Sequence, residues 1–177
     1  MKQIFRAALC LSVGFLLCGC AALKIPSDSF SEDSETIVFA DGKKIKSERF
    51  SEFYYTEENI NFNAFYQRYR FFTEDGKKMF FHEQRKVENG YGPAGEKDRT
   101  AMGQKELSEE EWLSFVGYLK QGTLRKRRDS AESGSTGPWM YLYCQNEDPA
   151  GLVFQFSSGG DCLKFEAFCA ELAEKCG

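Results

Sequence analysis

Beyond residue 35 the spacing of apolar positions changes several times, and each change marks an element. Thr36–Ala40 and Lys43–Lys46 are short extended runs flanking Asp41-Gly42, a pair suited to a tight hairpin turn. A strand is predicted over about 49–56, carrying Phe50, Phe53 and Tyr55. The strongest pattern follows it. Ala64–Thr73 and Lys77–Val87 are both rich in aromatic residues and flank Glu74-Asp75-Gly76, which predicts a long hairpin. Side chains alternate between the faces of a strand. That alternation puts Phe65, Tyr69 and Phe71 on a core face, with Met79 and Phe81 on the second arm. Tyr66, Arg68, Arg70 and Phe72 then share the opposite face with Phe80, His82, Gln84 and Lys86.

Glu88–Lys105 has no periodicity and contains Tyr91-Gly92-Pro93, so a loop is expected there. A helix should start at Ser108, with Ser108 and Glu111 as a capping box and Glu109 and Glu110 at the positive end of its dipole. Trp112, Phe115, Val116 and Leu119 recur at helical spacing, and Gly122 is the expected stop. After the basic run Leu124–Arg128 comes a polar loop over 129–138. A second hairpin pairs Trp139–Cys144 with Leu152–Phe156. Asp161 is the expected cap of a last helix with the stripe Phe165, Phe168, Cys169, Leu172 and Cys176. This order predicts an α+β fold, an antiparallel sheet of hairpins with two helices packed on one face. The stretches 64–121 and 139–176 read as two uses of one hairpin-plus-helix unit.

The first 35 residues follow other rules. Lys2 and Arg6 precede an apolar run of eleven residues, Ala7–Leu17. That length suits a secretory signal and is too short to span a bilayer core of about 30 Å. The run ends in Leu17-Cys18-Gly19-Cys20, which resembles the lipobox of bacterial lipoproteins. The resemblance implies cleavage before Cys20 and a thioether-linked diacylglycerol on that cysteine, with a further acyl chain such as palmitate. It also implies an envelope location facing outside the cytoplasm. Ala21 and Ala22, with no Asp after the Cys, point to the outer membrane if the cell has two. The expected organisation is a signal peptide over 1–19, a lipidated Cys20 and acidic tether over 20–35, and one domain over 36–177.

Charge and cysteine usage narrow the function. The signal holds two of the 23 basic residues and none of the 27 acidic ones, so the mature chain carries a net −6. An acidic exported domain is a poor nucleic-acid binder. Cys144, Cys162, Cys169 and Cys176 remain after processing. In a helix, cysteines seven residues apart have Cα atoms about 10 Å apart, beyond the roughly 7 Å that a disulfide tolerates. The helix cysteines therefore cannot bridge one another. Buried thiols are expected, with Cys144 to Cys162 or Cys169 as the possible disulfide.

The sequence carries no P-loop, no G-x-S-x-G, no H-E-x-x-H and no C-x-x-C. One histidine, His82, restricts metal sites and Cys–His pairs, so no metal or cofactor is expected. Glu166 falls off the apolar stripe and reads as solvated. Two surfaces remain as candidates. The first is the basic–aromatic hairpin face of Tyr66, Arg68, Arg70, Phe72, His82 and Lys86, which can hold carboxylates, phosphates or sugar rings. The second is Arg125–Arg128, which could touch anionic head groups. The expectation is a non-enzymatic envelope lipoprotein that binds a protein or an envelope polymer. The alternatives are an envelope hydrolase or thiol enzyme, or a structural or assembly lipoprotein.

Overall fold

A computed structural model describes residues 36–59, 65–88, 92, 94–127, 137–145 and 151–176, all within the unit Ser31–Gly177. The signal, Cys20, the tether, Arg128 and most of the 129–138 loop lie outside the described residues. The elements run β1 (Thr36–Val38), β2 (Lys44–Lys46), β3 (Phe50–Asn59), β4 (Phe65–Glu74), β5 (Lys77–Lys86) and β6 (Arg99–Glu106). Then come α1 (Glu109–Leu119), β7 (Gly122–Lys126), β8 (Trp139–Cys144), β9 (Leu152–Phe156) and α2 (Gly159–Glu174).

β3 to β9 form a seven-stranded sheet in the order β6-β5-β4-β3-β8-β9-β7, with every pair antiparallel. β1 and β2 make a separate two-stranded sheet. Its turn docks on β7, where the Ala40 amide donates to the Gly122 carbonyl at 2.8 Å and the Leu124 amide donates to Asp41 Oδ2 at 3.2 Å. The small hairpin thereby caps one edge of the large sheet, a common guard against edge-to-edge association.

Both helices lie on one face, as the pattern of elements predicts. The Phe71 ring stacks on Phe115 of α1 at 4.0 Å and meets Phe165 of α2 at 5.9 Å. Phe53 touches the same two rings, at 5.6 and 5.7 Å. This phenylalanine-rich layer, with Leu119, Leu142, Phe154 and Leu172, is the core. Ser108 and Glu111 form the expected capping box on α1.

Four expectations need correction. The first is the sorting of faces in the long hairpin. Asp75 and Gly76 both have positive φ, at 50° and 77°, which is the two-residue turn favoured in hairpins. Glu74 then pairs with Lys77, so each odd-numbered residue of β4 faces an even-numbered residue of β5. Phe71 sits opposite Phe80 and Tyr69 opposite His82, and all four are buried. Phe80 and His82 therefore belong to the core face, and Met79 and Phe81 to the outer one.

Second, 99–106 is a strand rather than loop. Its helix-facing positions, Ala101, Gly103 and Lys105, are small or polar, so the segment lacks apolar alternation and is defined by its ladder to β5. Gly103 is required there: a Cβ would come within 2.6 Å of Cys176 Cβ and 2.9 Å of His82 Nε2.

Third, the cap of α2 is Ser158, whose Oγ accepts from the Asp161 amide, and Asp161 stands in the first turn. Fourth, Gly122 opens β7 rather than ending α1, and the Phe154 ring occupies the space a Cβ would need. The proposed repeat units also differ, since β6 intervenes between the first hairpin and α1, whereas β9 leads directly to α2.

Candidate binding face

The face of the sheet away from the helices is set by the strand registers. One row across it reads Phe81, Arg70, Tyr54, Tyr141 and Val153, on β5, β4, β3, β8 and β9. The next row reads Glu83, Arg68, Thr56 and Trp139. Tyr66, Arg68, Arg70 and Phe72 are thus brought together as expected. His82 and Lys86 are not: the two-residue turn puts them on the helix side. Their places are taken by Phe81, Glu83 and Arg85, which the pattern of the second arm alone does not reveal. The parity imposed by the Asp-Gly turn is the signal that identifies them.

Glu83 is the centre of this face. Its residue surface is only 1% exposed. It accepts from Arg68 Nη2 at 2.5 Å, Arg85 Nε at 2.7 Å and Arg99 Nε at 3.2 Å. Burial alone would raise its pKa. The hydrogen bonds from Arg85 and Arg99 and the charge of Arg68 outweigh that and hold it below the ordinary carboxylate value.

The guanidinium groups also stack. Arg68 lies 5.1 Å from the Phe81 ring and 6.0 Å from those of Tyr54 and Tyr66, and Arg85 lies 4.9 Å from Tyr66. Arg70 donates to Glu52 at 2.5 Å and sits 4.9 Å from Phe72. Arg127, past the end of β7, covers Tyr141 at 4.7 Å. The hydroxyls of Tyr54 and Tyr66 are 3.2 Å apart, and burial with that contact pushes Tyr66 up to about 12. The Nε of Arg68 is buried without a hydrogen-bond partner.

Within the basic run, whose Arg128 lies outside the described residues, Arg125 and Lys126 do not share a face. Arg125 pairs with Val153 and Lys126 with Leu152, so adjacent cations point to opposite faces.

The helix side holds a second group of titratable side chains. Glu166 is half-buried rather than solvated, accepting from the Tyr55 hydroxyl at 2.8 Å and from Cys162 Sγ at 3.3 Å. Tyr55 is a core residue of β3 whose hydroxyl needs an acceptor, and Glu166 supplies it one helical turn beyond Cys162. Burial and Glu166 raise the pKa of Glu57, and the Tyr55 hydroxyl opposes them. Cys162 borders a cavity of about 350 Å³ lined also by Trp139, Met140, Phe154 and Phe156.

Thiol chemistry finds little support in this group. Burial and the Glu166 contact push Cys162 up to about 12. Burial also raises Cys169 and Cys176. Cys176 lies across Gly103 from His82, but its thiol donates to the Leu172 carbonyl, and burial lowers the pKa of His82. A reactive cysteine needs the opposite shift, toward thiolate. Cys162, Cys169 and Cys176 are thiols, so neither candidate bridge from Cys144 is formed.

Among the described residues, no three His, Cys, Asp or Glu side chains group as metal ligands, and no helix is long and apolar enough to cross a membrane. No family model matches the chain, and neither a curated protein nor a solved structure does.

Proposed function

We propose that this chain is a lipid-anchored protein of the bacterial envelope that works by binding another macromolecule through the outer face of its sheet, without catalysis. The anchor rests on the lipobox resemblance ending at Cys20. The binding role rests on one observation: three arginines surround a single carboxylate, Glu83, leaving two positive charges beyond those needed to neutralise it. That excess stands on a domain whose overall charge is negative. Arginine and aromatic side chains are also what protein interfaces concentrate at their centres.

Two experiments test the parts separately. A Cys20→Ser variant should lose lipid labelling and leave the membrane fraction; normal processing and retention would remove the anchor. For the face, Arg99→Glu with Arg127→Glu should abolish retention of envelope material by the immobilised full-length protein. Unchanged retention would remove the binding role. The alternative of an envelope hydrolase or thiol enzyme would have to use Tyr55, Glu57, Cys162 and Glu166, where the raised thiol pKa weighs against it. A structural or assembly role would leave the arginine excess without a use.

A further inference from the structure

We infer, building on the binding role proposed above, that the partner is a protein and that an acidic segment of it docks across the rows carrying Arg68, Arg85 and Arg99. Four observations favour a carboxylate-bearing partner over a glycan. First, a sugar would need bare ring faces to stack on. Here Arg68 covers Phe81, Tyr54 and Tyr66, Arg70 covers Phe72, and Arg127 covers Tyr141. Around Glu83 what lies over the rings is guanidinium, and a guanidinium matches a carboxylate two oxygens at a time.

Second, the arginines are already oriented. Glu83 fixes one edge of Arg68, Arg85 and Arg99, and the rings beneath Arg68 and Arg85 fix their planes, so less side-chain freedom is lost on binding. Third, a guanidinium has five N–H donors, and Glu83 cannot occupy those of three. Fourth, the area suits a protein. Six strand spacings of about 4.8 Å across and about six residues along each strand give a footprint on the order of 600 Å², near one side of a modest protein interface.

The test uses the full-length lipidated protein in detergent and a fluorescent decaglutamate peptide, read by anisotropy at low salt. Wild type should bind it, and Arg85→Gln with Arg99→Gln should raise Kd about tenfold or more. Arg99→Lys keeps the charge but removes the planar fork, so it should weaken binding by about threefold without disturbing the fold. Lys164→Gln, on the exposed side of α2, should leave Kd unchanged. Polygalacturonate and polyphosphate are the competing probes. If either binds in an Arg99-dependent way while decaglutamate does not, the face still binds a macromolecule and the acidic-protein inference is overturned. If all three bind equally, the face is a general polyanion site and the inference is likewise overturned. If none binds, the inference falls together with the proposed role of the face.

Discussion

Glu83 and Glu57 lie on opposite sides of one sheet, and their environments push them in opposite directions. Burial disfavours the charged form of both. On the outer face three guanidinium groups overcome that cost, and Glu83 stays ionised below its ordinary pKa. On the helix side the groups acting on Glu57 are burial, the Glu166 carboxylate and the Tyr55 hydroxyl, none of them a cation, so its pKa rises. The difference separates two uses of a carboxylate. Glu83 organises cations into a surface with charge to spare, whereas Glu57, beside Glu166, keeps its proton more easily and offers nothing to an anionic partner.

Removing Glu83 should break the outer cluster outright. Glu83→Leu leaves three partly buried arginines facing one another, and the loss of one partner from such a site costs about 3 kcal/mol. Chemical denaturation at neutral pH measures it. A cost below about 1 kcal/mol would mean that the arginines simply turn to water and that Glu83 organises nothing. The pH profile carries the same information. Because the folded-state pKa of Glu83 is depressed, its contribution is present above about 4.5 and is lost as pH falls through the lowered value. The acid limb should therefore be shallower in Glu83→Leu.

On the helix side the largest effect should come from Tyr55→Phe. It removes the 2.8 Å hydrogen bond to Glu166 while keeping the buried ring. A bond to a charged acceptor is worth about 1.5 kcal/mol. Thermal unfolding compared with wild type tests this, and an unchanged midpoint would show that water serves Glu166 equally well.

How much of this contrast could be read from the chain depends on where its information lies. The hairpins were legible because Asp41-Gly42 and Asp75-Gly76 are local turn signals, and α1 because Ser108 and Glu111 sit at capping spacing. The outer face was half legible: alternation alone groups Tyr66, Arg68, Arg70 and Phe72. Its partner strand depends on register, and the choice of His82 over Glu83 turns on one residue of parity across the turn. β6 was hidden because an edge strand with Ala101 and Gly103 toward the helices shows no apolar period. The surroundings of Glu166 are contacts with Tyr55, 111 residues away, and no local pattern encodes them.

Glu57→Gln should have a smaller effect, opposite in sign. Its folded-state pKa is raised, so its contribution is fully present below about 4.5 and is lost as pH rises through the raised value. The amide removes the charge and its repulsion with Glu166. The variant should gain on the order of 0.5 kcal/mol at neutral pH. The gain should vanish near pH 4, where wild-type Glu57 is already neutral. A variant less stable than wild type at pH 7 would mean that Glu57 has a cationic partner after all.

The smallest expected effect bears most directly on the outer face. Arg99 is the longest of the three contacts to Glu83, at 3.2 Å, and has the most exposed side chain of the three arginines, at 36%. Arg68 and Arg85 remain to neutralise the carboxylate when it is gone, so Arg99→Gln should cost less than about 0.5 kcal/mol, as exposed pairs usually do. Denaturation of the variant beside Glu83→Leu makes the comparison. If the cost approaches that of losing Glu83, all three cations are needed to keep the carboxylate buried, and the excess positive charge is a folding requirement. If it is near zero, the fold holds a cation it does not need for stability. The defect should then appear only when a partner is offered.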